Sequence, residues 1–182
     1  MNRKSSLIAA IALAVSSGAS IAKADDATFD RTFYSEFTDM QRNAARAYGD
    51  QKYDDAIALF RRAACAGDKE SQSALGRMYL LGQGVEHDDL TGYAWLKVAA
   101  ETQFPGYQAI VRKLEDAMND EQRKIADARA TELQGLYGLR ATNMSCKARA
   151  SRGGHIIDTI ECTPRAEGRV VLLRMCVANT PH

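Results

Sequence analysis

The chain has 182 residues, 46% of them hydrophobic and 26% charged, with only 3 Pro. That composition excludes a collagen-like, low-complexity or wholly disordered polymer. With 24 basic and 23 acidic side chains the net charge is +1, which implies no general affinity for nucleic acid or anionic membranes.

Residues 1–24 read as a secretory signal peptide. Asn2-Arg3-Lys4 is a positive leader, Leu7 to Val15 an uncharged apolar run, and Ser16, Ser17, Gly18 and Ser20 break it. Ala22-Lys23-Ala24 fits a small-x-small cleavage site, so cleavage after Ala24 leaves Asp25 as the new N-terminus. The apolar run is shorter than the ~20 residues a spanning helix needs. No cysteine lies near the cut, which argues against a lipid-anchored form. Residues 25–182 carry 21 basic and 23 acidic side chains, net −2, and no further run long enough to span a membrane. The expected product is exported, periplasmic or secreted, with no integral membrane segment after cleavage. Such a compartment is oxidising, and cysteine pairs persist there.

Residues 25–136 read as a helical repeat region. A helix around Tyr34–Tyr48, a turn at Gly49-Asp50 and a second helix from Tyr53 to Ala63 form the first pair. In the next pair Leu75, Met78 and Tyr79 fall at i, i+3, i+4 spacing, and Gly82 and Gly84 turn the chain. Ala94, Trp95, Val98 and Ala99 line one face of the following helix. Pro105 suits a first-turn position, and Asn119 with Gln122 three residues later forms a capping signature. Ile125, Ala128, Leu133 and Leu136 supply the apolar side of the last helix. A shift of 36 residues maps Ala63-Ala64 onto Ala99-Ala100, Leu59 onto Trp95 and Leu75 onto Val111. Three pairs are about the minimum for a stable stacked array.

The block Leu75-Gly76-x-x-Tyr79-x-x-Gly82-x-Gly84-Val85, with Ala94-Trp95 and Ala99-Ala100 after it, resembles the Sel1-like repeat (SLR) family, α/α solenoids related to tetratricopeptide repeats. Thr91-Gly92 depart from the Lys-Ala usual in that family, and Gly92 should weaken its helix slightly. The implied fold is mainly α: a short solenoid of about three helix pairs followed by a small C-terminal β region. The resemblance implies protein–protein or cell-envelope interaction rather than catalysis. By carry-over of the tetratricopeptide register, Ser73 and Arg77 point outward, with Ala109 and Lys113 the matching positions 36 residues later, and Arg77, Lys113 and Ser73 are the expected partner contacts.

Residues 137–182 change texture. Short β-branched runs predict strands near 143–149, 155–162 and 169–177. This tail carries net +4 against net −6 for residues 25–136, so its arginines either solvate a thin sheet, dock it on the acidic array, or face an anionic partner. So small a β region cannot bury enough on its own. It must dock on the last helices, carry a disulfide, or both. The disulfide candidates are Cys146, Cys162, Cys176 and Cys65, whose connectivity the sequence leaves open. In a simple meander Cys162 and Cys176 would fall on opposite faces. Cysteine spacings of 16 and 14, with only His155 nearby, do not suit zinc.

No nucleophile elbow, P-loop, zinc-protease or dinucleotide motif occurs, and no cofactor is expected. His87, beside Glu86 and Asp88-Asp89, lies in the repeat loop as a polar, solvated cluster. The reading is an exported, non-enzymatic adaptor with a protein partner and no nucleic-acid role. The alternative is a β-lactam-binding or hydrolysing enzyme of the cysteine-rich SLR type, although those carry a cysteine pair in each repeat and here the repeats contribute only Cys65.

Overall fold

A computed structural model describes residues 29–150, 157–167 and 169–177. The expected signal peptide with its Ala24–Asp25 junction, and His155 with Ile156, lie outside the described residues. Strand β1 (Phe29–Phe33) leads into six long helices: α1 (Tyr34–Gly49), α2 (Tyr53–Cys65), α3 (Lys69–Leu81), α4 (Asp89–Ala99), α5 (Pro105–Ala117) and α6 (Asp120–Tyr137). One-turn α7 (Leu139–Thr142) follows, then β2 (Met144–Ala150), β3 (Ile157–Pro164), β4 (Ala166–Glu167) and β5 (Val170–Arg174). The chain is mainly helical, with a small C-terminal β region. The helices α2 and α4 open 36 residues apart, as do α3 and α5, so the sequence echo is an echo of helix starts.

The helix boundaries follow from local chemistry. Asp68 and Asp88 cap α3 and α4 by accepting from the Ser71 and Thr91 N–H at 2.8 and 3.0 Å. Asn119 and Gln122 form the expected reciprocal box at the start of α6. Gly82, at φ +62, ends α3. Gly76 and Gly92 bring α3 and α4 into backbone contact: a Cβ at Gly76 would lie 2.7 Å from the Gly92 carbonyl oxygen. Gly92, read from sequence as a weak spot, is the close-approach point of that helix pair.

The seams between helices hold Leu75, Tyr79, Ala94, Trp95, Leu96 and Tyr137. Trp95 is 0% exposed and stacks on Tyr137 at 5.5 Å between ring centroids. Ala99 and Ala100 are buried behind it. In α6 the buried residues are Ala126, Ala130, Leu133 and Tyr137, while Ile125 is 49% exposed and Ala128 faces solvent. Leu133 is buried and Leu136 packs against the core as expected, whereas Ala126 and Ala130 take the inward places expected of Ile125 and Ala128. Buried Lys69 pairs with Glu101, which also accepts from the Leu139 N–H at 2.8 Å and so ties α3 to the end of the array. Burial lowers the pKa of Lys69, against the pull of Glu101.

The strands do not form a meander. One antiparallel sheet has the order β1-β5-β4, and a second is the β2–β3 hairpin. The reason is β1, which the sequence reading left unassigned. It pairs along the whole of β5, Thr32 opposite Val171 and Asp30 opposite Leu173. Met144, Cys162, Val171 and Leu173 form one core with Phe37, Met40, Ala63 and Ala66. The β region thus docks chiefly on α1 and α2, not on the last helices. Gly67, at φ +100, makes room for it: a Cβ there would lie 2.2 Å from the Thr142 Oγ1. Two disulfides close the arrangement, Cys65–Cys176 and Cys146–Cys162. Among the described residues no helix is long and apolar enough to cross a membrane.

Candidate functional site

The helices α1, α3 and α5, the first of each pair, line a shared groove. One cavity of about 530 Å³ lies between α1 and α3, walled by Tyr34, Gln41, Tyr48, Glu70 and Arg77. A second of about 280 Å³ lies between α3 and α5, walled by Glu70, Arg77, Phe104, Tyr107 and Ile110. Glu70, Arg77 and Ile160 belong to both, so the two cavities meet at α3 beneath strand β3.

The site's position follows from the capping of α3. Asp68 is buried as the cap, so Glu70 in the next turn and Arg77 two turns further on emerge along the exposed side of α3. Burial raises the pKa of the Asp68 carboxyl, with the hydrogen bonds from Ser71 opposing it. Burial raises Glu70 as well, reinforced by Asp68 and opposed by Arg77. Tyr107 is raised by burial first and then by the negative charges of Glu70 and Asp68. The groove thus combines aromatic and aliphatic side chains with the acidic Asp68 and Glu70 and the guanidiniums of Arg42 and Arg77.

The expected partner contacts separate here. Arg77 is exposed and stands in both cavities. Ser73 lines the second cavity but is only 2% exposed, so the outward position inferred for it is corrected: its turn of α3 packs inward. Lys113 is exposed on α5 but lines neither cavity, because Tyr107 and Ile110 occupy the groove-facing side of that helix. Glu70, Tyr107 and Ile160 were not singled out from sequence. Tyr107 lies on α5 beside Ile110, and Ile160 reaches the groove only through the docked hairpin.

Elsewhere, His87 is exposed, its Nε2 3.0 Å from an Asp89 carboxylate oxygen. On α4–α6, Tyr93 donates to Asp127 at 2.7 Å, and Lys97 pairs with Glu115. Both contacts join neighbouring helices. Among the described residues no group of three or more His, Cys, Asp or Glu could hold a metal ion. All four cysteines are in disulfides.

No protein-family model and no curated protein matches the chain. The chain is similar to the crystal structure of c5321, a protective antigen present in uropathogenic Escherichia coli strains, displaying an SLR fold. The similarity covers 50% of this chain and 20% of that chain, at 24% identity and a TM-score of 0.46. This chain therefore spans about a fifth of that protein's length. The fold named there is the repeat type that the Leu75–Val85 motif resembles.

Proposed function

We propose that the protein is an exported, non-enzymatic adaptor that receives a segment of a partner protein in the α1/α3/α5 groove. The observation that carries this is the continuity of the two cavities through Glu70 and Arg77, which gives one elongated site spread over three helix pairs. Its lining mixes aromatic and aliphatic side chains such as Tyr34, Tyr107 and Ile110 with polar and charged ones, which suits recognition of a peptide segment. Export rests on the leader at residues 1–24, and two disulfides suit an oxidising compartment.

The test is a photo-crosslinking amino acid at Tyr107, with Leu90 on α4 as the control position, used in the native envelope fraction. The expected result is a protein adduct from position 107 that Arg77→Glu abolishes and position 90 does not give. Equal adducts from both positions, or none from 107, overturn the reading. A chromogenic β-lactam assayed with the purified mature protein should stay intact; turnover would replace the adaptor reading with the enzymatic one.

A further inference from the structure

The groove is not empty along its length. The β2–β3 hairpin lies over it, with β3 packed against α3 and β5. Ile160 stands where the two cavities meet and, among the described residues, is the hairpin residue lining both. Its inward neighbour Cys162 is buried, opposite Cys146 in the register, and the disulfide between them holds the two strands together. On the outward side Arg149 pairs with Glu161. The fixing bonds of the hairpin are thus internal to it. Ile160 faces the groove, while Met144 and Cys162 set the hairpin into the core shared with Phe37, Met40 and Ala63.

We propose that the hairpin is a built-in occupant of the groove, and that the partner is an extended segment presenting an aliphatic side chain that takes the seat of Ile160. This rests on the groove reading above and specifies its chemistry. The internal occupant defines what the central subsite accepts: an extended strand with one aliphatic residue pointing down between Arg77 and Tyr107, followed by a residue directed to solvent, as Ile160-Glu161 are. Such a seat discriminates by size and burial. An aliphatic side chain gains by leaving water there, whereas a carboxylate in its place would give up its hydration. An occupant already in place also lowers the apparent affinity for any free segment, because the competent groove is only a fraction of the population.

The probe is a fluorescent peptide with the sequence of residues 157–164 and Ser replacing Cys162, titrated into the full mature chain. The oxidised protein should bind it weakly. Ile160→Asp should bind it at least tenfold more tightly, and so should the Cys146→Ser/Cys162→Ser variant, in which the bond between the hairpin strands is removed and Ile160 is kept. A peptide carrying Asp at the position of Ile160 should not bind to either variant. Unchanged Trp95 emission and helical circular dichroism establish that a variant is folded, and having two variants guards against one failing to fold. Equal binding to the oxidised protein and both variants, or no gain in a folded variant, overturns the proposal. A gain here without a crosslinked partner would retire the adaptor reading alone, whereas a crosslinked partner without a gain would retire the hairpin's role alone.

Discussion

Removing the Cys65–Cys176 bond should cost this protein more than removing Cys146–Cys162, although both staple the β region. The first links residues 111 apart and the second residues 16 apart. Loop-closure entropy grows with the logarithm of the closed loop, giving about 4.8 kcal/mol for the longer one and about 3.1 kcal/mol for the shorter. Cys65 is also wholly buried at the end of α2, and its partner follows β5 directly, so the bond anchors the strand that pairs with β1. The assay compares Cys65→Ala/Cys176→Ala with Cys146→Ala/Cys162→Ala by urea unfolding, followed through the emission of the single Trp95. Amide exchange in residues 170–174 should rise in the first variant and little in the second. The reasoning is refuted if the short-loop variant loses as much stability as the long-loop variant, or if the long-loop variant loses less than about 1 kcal/mol.

Trp95→Ala empties a fully buried site stacked on Tyr137 and should lower unfolding stability by about 3–5 kcal/mol in a urea titration followed by circular dichroism. Gly67→Ala forces a side chain against Thr142 and Met144 at φ +100 and should cost at least about 1–3 kcal/mol, read from the same titration. Burial raises the Asp68 pKa, so the unfolded chain releases that proton first, and the native state is penalised as pH rises from the unfolded pKa through the folded one. Asp68→Asn keeps the cap, so its stability relative to the parent should rise between pH 3 and pH 7; a fall would contradict the burial argument. Expressed with its own leader, the protein should be recovered outside the cytoplasm with an intact mass beginning at Asp25.

The sequence by itself determined the helical array. Beside a 36-residue period that reappears in the starts of α2–α5, its signals are local: the cap at Asn119, the helix end at Gly82 and small residues at Ala94, Ala99 and Ala100. Each of these acts within a turn or two of chain, so pattern and structure had to agree. Arg77 was placed as an outward position by the resemblance to the tetratricopeptide register, and it is exposed. Tertiary structure decided what depends on distant partners. Phe29–Phe33 has no strand signal strong enough to stand alone and becomes β1 because β5 offers it a ladder. Ser73 turned inward, and the face of α6 moved from Ile125 to Ala126, because neighbouring helices rather than periodicity set which side is covered. The cysteine pairing and the place of Ile160 over the groove both follow from the β region's docking on α1 and α2. That docking brings together residues up to 111 positions apart. No local rule reaches across such a span; only burial of a shared apolar core does.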